Sequence, residues 1–367
     1  MAFSISSSLS SLFSQEQKSA LGVDIGTSSI KVVQLRLEKG RVVLETYGAI
    51  ALGPYAGVEI GRATSLPYEK IAEALKDVMR EANVTVKNAA ISIPYASSLV
   101  SVVTLPAGAE KQLAQVMPLE ARKYIPVPIN EVLLDWYVIS GGGKNAGPND
   151  KLQVLLVAIH NDTIAKFRSI ASDAGITVEF FEIEVFSAVR AALDHGIAPI
   201  AVVDMGAGTT KFYVVERGII RESHIISRGS QDLTLAAAQA LSTTVADAEQ
   251  RKRKFGMQGE EIIAGNGVLK QSLELSLSSL FSELARTVAA YEAQKNQPLS
   301  ALVFTGGGAT LKGLEAYAKQ KIPTEVRLAH PFSKTQAPAF LEEILKEAGP
   351  EFSVAVGLAL RQLQGNG

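Results

Sequence analysis

The apolar positions near the start of the chain form three short runs separated by turns. Residues 21–25 form the first run, and a turn of glycine and hydroxyl residues separates it from a second run at 30–37. Lys39 and Gly40 make the next turn, and residues 42–47 form the third run. Short apolar runs bounded by turn residues predict strands. We therefore expect a β-meander whose first turn can approach a ligand closely, because glycine carries no side chain.

Helical and strand patterns alternate after this meander. Residues 68–82 carry apolar side chains at helical spacing, and residues 89–93 form another short apolar run. Farther along, residues 161–175 predict an amphipathic helix, and residues 230–255 and 270–295 are also helical in pattern. Alternation of this kind is typical of an α/β fold.

Residues 97–160 are predicted to form a separate small α+β unit. Its elements follow in the order strand 99–105, helix 109–124, strand 132–139 and strand 152–159. The glycine-rich stretch 141–148 between the last two strands could suggest a phosphate loop. It lacks the following helix with a Lys-Ser/Thr pair, so a plain hairpin loop is the favoured interpretation.

The opening pattern occurs a second time in the middle of the chain. Residues 198–226 repeat the order of strand, glycine turn and strand that is present at 21–47. Asp24-Ile-Gly-Thr-Ser-Ser and Asp204-Met-Gly-Ala-Gly-Thr-Thr are two versions of one motif, 180 residues apart. An internal repeat of this kind predicts two related lobes that face each other.

These two loops predict a site for a polyphosphate. Glycine lets backbone N–H groups converge on an anion, and Ser/Thr hydroxyl groups add donors. Asp24 and Asp204 would face the same anion, which requires a divalent cation with its waters between them, and Mg²⁺ suits this arrangement. A third loop at 306–309 opens a helix, where anions are favoured and small residues leave room for a base or ribose. Each loop alone is more often a structural turn, but the three in this order favour ATP.

Composition narrows the class of protein. The chain has 367 residues, of which 47% are hydrophobic and 20% charged, so it is globular and long enough for more than one domain. A net charge of −1 gives no reason to expect nucleic acid as a partner. The absence of cysteine excludes disulfides, thiolate zinc sites and cysteine nucleophiles, and the four histidines are scattered.

Residues 1–20 are expected to be an N-terminal tail. They lack the pattern of a signal peptide, and no apolar run in the chain reaches the ~18 residues of a membrane-spanning helix. Four apolar residues of the tail would share one face of a short helix: Ile5, Leu9, Leu12 and Phe13. A flexible tail and a helix that docks on a partner or a membrane surface both remain open.

The motifs together resemble the actin/Hsp70/sugar-kinase superfamily. The order Asp-x-Gly-Thr-x-x-x-Lys, Asp-x-Gly-x-Gly-Thr-Thr and Gly-Gly-Gly-Ala is similar to its phosphate 1, phosphate 2 and adenosine motifs. Within the FtsA/PilM branch, residues 21–35 and 119–126 look like the type IV pilus assembly family PilM. The unit at 97–160 lies where that branch carries an extra β-α-β-β subdomain, the SHS2 domain. The resemblance covers residues 20–364 and implies an actin-like (ribonuclease H-like) two-lobe nucleotide-binding fold with an inserted small α+β subdomain.

The resemblance also implies roles for individual residues of the three loops. Asp24 and Asp204 would hold Mg²⁺ through its waters. The residues expected to contact phosphate are Gly26, Thr27, Ser28, Ser29, Gly206, Ala207, Gly208, Thr209 and Thr210. The residues expected to line the nucleoside of ATP are Gly306, Gly307, Gly308 and Ala309.

Charged residues outside the glycine turns each have more than one expected role. Glu249 and Lys252, one helical turn apart with Arg253 beside them, would hold ribose and base, although a solvated charged helix is the alternative. Lys31 could reach phosphate or face solvent. Glu184 falls where actin-like hydrolases orient the attacking water, and in this chain it could be a catalytic base, a cation ligand or a buried structural carboxylate.

The expected domain boundaries follow the same resemblance. The chain would divide into a tail at 1–20, the first part of lobe 1 at 21–96, the inserted subdomain at 97–160, the rest of lobe 1 at 161–197, lobe 2 with a helical subdomain at 198–330, and a segment at 331–367 that returns to lobe 1.

The function implied by the resemblance is that of a cytoplasmic ATP-binding adaptor with weak or no ATPase activity, peripheral at the inner face of the plasma membrane. Its expected partner is the cytoplasmic N-terminal tail of a PilN-like inner-membrane protein, held in a groove between lobe 1 and the inserted subdomain. The membrane would be reached only through this partner. Self-association stays open, and so do two alternatives: an actin-like ATPase or small-molecule kinase, and an FtsA-like membrane-associated filament protein.

Overall fold

The computed structural model describes residues 18–140, 151–194, 196–258 and 266–365. Within these ranges the strands form two five-stranded sheets and one three-stranded sheet. The apolar helical face expected in the tail and the hairpin loop expected at 141–148 lie outside the described residues. None of the described helices is both long and apolar enough to cross a membrane.

Lobe 1 is built on a sheet with the strand order β3-β2-β1-β4-β8. Its strands are β1 (Ser19–Ile25), β2 (Ser29–Glu38), β3 (Arg41–Ala51), β4 (Asn88–Ile93) and β8 (Thr177–Ile183). The first three strands pair antiparallel, as the meander predicts, whereas β4 pairs parallel to β1 and β8 pairs parallel to β4. β1 and β4 are almost completely buried, which explains their near-continuous apolar sequence.

Helices cover both faces of this sheet. They are α1 (Tyr68–Glu81), α3 (Asn161–Asp173), α4 (Glu184–Ala192), α9 (Glu342–Ala348) and α10 (Ser353–Gln364). α10 is rich in small apolar residues and almost completely buried. It lies directly on β1 and α4, because a Cβ atom at Gly22 would overlap the Ala355 carbonyl, and one at Gly357 would overlap the Ser187 carbonyl. Helix α10 and strand β1 therefore pack in the same core, although they lie near opposite ends of the chain.

Lobe 2 repeats the architecture of lobe 1. Its sheet has the order β11-β10-β9-β12-β13. The strands are β9 (Ile200–Met205), β10 (Thr210–Glu216), β11 (Ile219–Ile226), β12 (Ala301–Thr305) and β13 (Val326–Leu328). Again the first three pair antiparallel and the other two add in parallel. The prediction of two related lobes is therefore confirmed.

The helices of lobe 2 are α5 (Ser230–Leu241), α6 (Val245–Phe255), α7 (Asn266–Lys295) and α8 (Leu314–Lys321). The helical pattern at 230–255 is thus two helices, because Ser242 adopts a left-handed conformation with φ of 50°. The Thr244 side chain then accepts a hydrogen bond from the Asp247 N–H and caps α6. This break is what turns α6 back toward the cleft between the lobes.

The inserted subdomain has its own sheet and its own core. The sheet has the order β5-β7-β6, from β5 (Ser98–Pro106), β6 (Val132–Ser140) and β7 (Lys151–His160). The helix α2 (Leu113–Ala121) packs on it through Met117, which is fully buried with Val103 and Leu156. The order strand, helix, strand, strand agrees with the prediction. Both β6 and β8 are edge strands in the described sheets.

Candidate functional site

The first strand of each lobe leads into the same turn. In lobe 1 the Gly26 N–H donates to the Ser29 carbonyl over 3.1 Å, and in lobe 2 the Gly206 N–H donates to the Thr209 carbonyl over 3.0 Å. The two loops identified as one repeated motif therefore have one backbone conformation at this hydrogen bond.

A cavity of about 390 Å³ lies between the two turns. The predicted site residues that line it are Asp24, Ser28, Ser29, Lys31, Glu184, Asp204, Gly206, Ala207, Glu249, Lys252, Arg253, Gly306, Gly307 and Gly308. Within the described part of the chain, the other predicted residues do not line it: Gly26, Thr27, Gly208, Thr209, Thr210 and Ala309. Thr210 is fully buried and donates to the Arg228 carbonyl over 2.9 Å, and Ala309 belongs to the core of lobe 2.

Asp24 is held at the lobe 1 side of the cavity. Its carboxylate accepts a hydrogen bond of 2.8 Å from the Ser92 hydroxyl, at the end of β4. Burial raises the pKa of Asp24, and the charge of Lys31 acts in the opposite direction. Ser92 belongs to no motif, so only the parallel pairing of β1 with β4 brings it to this position.

Lys31 lies beside Asp24 and does not face solvent. It is 8% exposed, it stands directly opposite Asp24 in the register of β1 and β2, and its ammonium group donates to the Ser29 hydroxyl over 2.8 Å. The structure therefore has Lys31 inside the cleft and not facing solvent.

Lys211 makes the central ion pair of the cavity. Its Nζ lies 2.9 Å from Glu184 Oε2 and 3.0 Å from Asp204 Oδ2. Burial alone would lower the pKa of Lys211, but the Asp204 and Glu184 carboxylates outweigh burial and raise it, so the side chain is charged. The sequence analysis missed this residue. The signal was present, because Lys211 ends the second copy of the motif at the position that Lys31 has in the first.

Glu184 joins the cavity to the inserted subdomain. It is the first residue of α4, and its second oxygen, Oε1, accepts a hydrogen bond of 2.6 Å from the Tyr95 N–H. Tyr95 belongs to the short connection between β4 and β5, where the inserted subdomain begins. Burial raises the pKa of Glu184, and Lys211 opposes this effect.

The third loop closes the cavity from the side of lobe 2. Gly306 has a φ of 84°, and a Cβ there would overlap the Asp204 carboxylate. At Gly308 a Cβ would lie 2.7 Å from the Cβ of Met205. A Cβ at Gly307, in contrast, would have no described atom outside its own chain neighbours within 4 Å, although the residue lines the cavity. The cavity is therefore open beside Gly307.

The charged pair on α6 is buried. Glu249 and Lys252 are 5% and 7% exposed, and their charged atoms are 2.7 Å apart. Thr234 on α5 lies between them, donating to Glu249 over 2.6 Å and accepting from Lys252 over 2.7 Å. Burial would raise the pKa of Glu249, but Lys252, Thr234 and Arg253 lower it to about 2. The alternative of a solvated charged helix therefore does not describe these two residues.

A segment from lobe 1 crosses to lobe 2 beside this pair. Gly61 has a φ of 100°, and a Cβ there would lie 3.0 Å from Glu249. The Ala63 N–H donates to Gln231 on α5 over 3.0 Å, and the Thr64 N–H donates to the carbonyl of Thr27 over 2.8 Å. The segment 59–64 thus contacts the turn that begins at Gly26 and both helices of lobe 2 that border the cavity. No sequence pattern indicated this contact.

A second cavity, of about 820 Å³, lies between β8, α3 and the strands β6 and β7 of the inserted subdomain. We refer to it as the lobe 1 groove. Its walls contain Phe180 and Phe181 on β8 and Leu133 on β6, of which Leu133 is 55% exposed. Arg361 lies 4.6 Å above the ring of Phe180, and Arg168 lies 6.0 Å from that of Phe181. The groove therefore has an aromatic floor, side walls that carry both arginines and carboxylates, and two strand edges.

The curated proteins that match the chain include cell division proteins named FtsA. FtsA of Escherichia coli (strain K12) is 24% identical over 239 residues, which are 58% of this chain and 56% of FtsA. The chain thus matches only about half of that relative's length. FtsA of Bacillus subtilis (strain 168) is 21% identical over 352 residues, which are 85% of this chain and 78% of that protein.

Solved structures with the same fold include a chain of the PilM-PilN type IV pilus biogenesis complex. It superposes with a TM-score of 0.77 at 22% identity and covers 93% of this chain and 98% of its own. MreB5 of Spiroplasma citri bound to ADP superposes with a TM-score of 0.52 at 11% identity, covering 95% of this chain and 99% of its own. At these identities the likeness establishes the actin-like fold.

The model of one protein family matches almost the whole chain. The family is described as type IV pilus assembly protein PilM, and the match runs over residues 22–363. It includes both glycine turns, the third loop, the inserted subdomain and the lobe 1 groove. The chain therefore belongs to the PilM family of type IV pilus assembly proteins.

Proposed function

We propose that this protein is a cytoplasmic adaptor of the type IV pilus assembly machinery, which binds ATP in the cleft and a partner peptide in the lobe 1 groove. The partner is the cytoplasmic N-terminal tail of a PilN-like inner-membrane protein, and the adaptor lies at the inner face of the plasma membrane only through it. The observation that carries the proposal is the groove between two strand edges. A similar chain occurs in a complex named PilM-PilN, which supports this choice of partner.

The groove suits an extended peptide. β8 ends the described sheet of lobe 1, and β6 ends that of the inserted subdomain, so main-chain groups at both edges can bond to an added strand. Alternate side chains of such a peptide would point into the groove, where Leu133, Phe180 and Phe186 offer apolar contacts. The main-chain bonds would supply affinity, and the apolar contacts would select the sequence.

The cleft suits ATP. Two glycine turns of the same conformation face one cavity, and the open side of Gly307 leaves space for the nucleoside. Glu249 and Lys252 lie at the lobe 2 border of the same cavity, where they would hold ribose and base. The fold is shared with MreB5, which is known with ADP bound.

Mg²⁺ would bind through its waters rather than directly. Among the described residues there is no group of three or more His, Asp or Glu side chains that could hold a metal. Asp24 and Asp204 line the cavity from opposite lobes, so they would hold the hydrated ion that accompanies the phosphates. The ion supplies positive charge to the phosphate groups, and the two carboxylates fix its position.

ATP would order the two lobes rather than be consumed. Each lobe contributes one phosphate loop, so bound ATP favours the arrangement that brings both loops to it. Glu184, the candidate base, is already engaged at both oxygens, by Lys211 and by the Tyr95 N–H. We expect hydrolysis to be slow or absent for this reason.

The test measures peptide, ATP and phosphate on the same samples. A labelled peptide with the N-terminal sequence of the PilN-like protein of the same organism is titrated with the wild-type protein, and ATP with Mg²⁺ is titrated calorimetrically. Saturable binding of both, with negligible release of phosphate, supports the adaptor. Failure of the peptide to bind, with or without ATP, overturns the partner. Rapid phosphate release would instead establish an ATPase.

A further inference from the structure

We propose that Lys211 is a resident counter-ion: it occupies, between Glu184 and Asp204, the place that a divalent cation takes in sites built from carboxylates alone. The cleft thereby holds a fixed positive charge between these two carboxylates before nucleotide or metal binds. The proposal rests on the proposed nucleotide function of the cleft, and it assigns to Lys211 a positioning role in that site.

The geometry of the ion pair carries the proposal. The ammonium group of Lys211 is within 3.0 Å of one oxygen of Asp204 and 2.9 Å of one oxygen of Glu184, and its side chain is 13% exposed. The two carboxylates come from different lobes, since Glu184 begins α4 of lobe 1 and Asp204 lies on β9 of lobe 2. Without a cation between them, two buried carboxylates would repel each other and force the lobes apart or take up protons.

Lys31, which ends the first copy of the motif, has a different partner from Lys211. Lys31 has the same position in its motif and the same register opposite its aspartate, yet its ammonium group bonds to the Ser29 hydroxyl. In the described part of the chain Lys31 has no ion pair. Asp24 is hydrogen-bonded to the Ser92 hydroxyl and makes no ion pair with its lysine, whereas Asp204 is shared with the fixed charge of Lys211.

A fixed charge changes how the cleft depends on metal. A site held together by a divalent cation loses stability when the cation is removed, because ion binding and folding are coupled. With Lys211 in place, the nucleotide-free protein needs no Mg²⁺ to keep Glu184 and Asp204 together. Two aspartates alone would repel the phosphates of ATP when Mg²⁺ is absent. With Lys211 in place, ATP should bind without Mg²⁺ more readily than it would to such a site.

The experiment compares Lys211→Met with Lys76→Met, the same substitution at an exposed position of α1 outside the cleft. Thermal unfolding of the nucleotide-free proteins is followed in EDTA and in MgCl₂. Wild type and Lys76→Met should each melt at the same temperature in EDTA and in MgCl₂. Lys211→Met should melt lower in EDTA and recover by several degrees in MgCl₂. A melting temperature of Lys211→Met that does not respond to Mg²⁺ would overturn the proposal.

A second measurement uses the wild type alone. It tests the proposal even if Lys211→Met does not fold in either solution. ATP affinity in EDTA should stay within about tenfold of the affinity in MgCl₂, and a loss greater than about a hundredfold would overturn the proposal. If ATP binds in neither solution, the proposed nucleotide function is wrong. The Mg²⁺ response of the melting temperature of Lys211→Met then tests the counter-ion role alone.

Discussion

Lys31 and Lys211 occupy the same position in the two halves of the repeat, but they have different partners. Each stands opposite the aspartate that begins its loop. Lys31 donates to a hydroxyl group in its own loop, whereas Lys211 bridges two carboxylates from different lobes. The two halves thus share a backbone conformation while only the second supplies a charge that joins the lobes.

Removing one charge of the buried Glu249–Lys252 pair should lower the free energy of unfolding more than removing both charges. Glu249→Ala leaves Lys252 buried without its carboxylate, so we expect the free energy of unfolding to fall by about 3–5 kcal/mol. The measurement is equilibrium unfolding in urea at neutral pH. The double variant Glu249→Leu/Lys252→Met removes both charges and should lose clearly less, because no unpaired ion remains. An equal or greater loss in the double variant would contradict this.

The same carboxylate should make stability depend on pH in the acid range. The pKa of Glu249 is lowered from its ordinary value of 4.5 to about 2, so the unfolded chain binds the proton more tightly than the folded protein does. Its contribution to stability is complete above pH 4.5 and is lost as the pH falls toward 2. Urea unfolding over this range should show a flatter pH dependence for Glu249→Gln than for wild type. Glu325→Gln, an exposed site, should follow the wild type.

Gly307 tests the nucleoside side of the cleft without disturbing the fold. A methyl group there meets no described neighbour but projects beside the cavity, so Gly307→Ala should keep the wild-type melting temperature. It should weaken ATP binding by about tenfold or more, measured by calorimetry. Gly108→Ala, also in open space but in the inserted subdomain, should change neither quantity. Unchanged ATP affinity in Gly307→Ala would remove the third loop from the site.

Two positions on β6 separate the groove from the rest of the subdomain surface. Leu133 lines the groove, whereas Tyr137 on the same strand is 70% exposed and is not among the groove's described residues. Leu133→Asp puts a carboxylate in the apolar wall, so it should weaken peptide binding by about tenfold or more. Tyr137→Asp should leave it unchanged. Both variants should bind ATP like wild type, and peptide binding that survives Leu133→Asp would place the partner elsewhere.

The contact between α10 and α4 should tolerate no side chain. A Cβ at Gly357 overlaps the backbone of Ser187, so Gly357→Ala requires the helices to separate and should lower the free energy of unfolding by about 1–3 kcal/mol or more. Gly267→Ala in α7 meets nothing and should be neutral or stabilising by up to about 1 kcal/mol. Urea unfolding of both variants provides the measurement. A Gly357→Ala variant as stable as wild type would contradict the close contact.

The architecture was largely predictable because local sequence patterns indicate most of its strands, turns and helices. Apolar runs, glycine turns and the repeat of the Asp24 motif at Asp204 predicted the meanders, the two lobes and the inserted subdomain. The break between α5 and α6 was not predicted, since Ser242 can continue a helix as easily as it can end one and only tertiary packing decides.

The site was predictable only where a residue belongs to a motif. Ser92, Thr234 and the segment 59–64 reach the cleft through strand pairing and packing between elements far apart in sequence, and no local signal marks them. Lys211 could have been found by aligning the two copies of the motif to their last residue. Thr210 shows the opposite case, because its hydroxyl matches the motif but is turned into lobe 2 toward Arg228.

The position of α10 on β1 has a consequence for the order in which the protein folds as it is made. Lobe 2 is continuous from β9 to β13, so it can fold as soon as that stretch leaves the ribosome. Lobe 1 cannot, because its first strand must wait for its last helix, Ser353–Gln364, to cover it. The lobe synthesised first is therefore the lobe completed last, and the nascent chain carries an open apolar sheet for most of its synthesis.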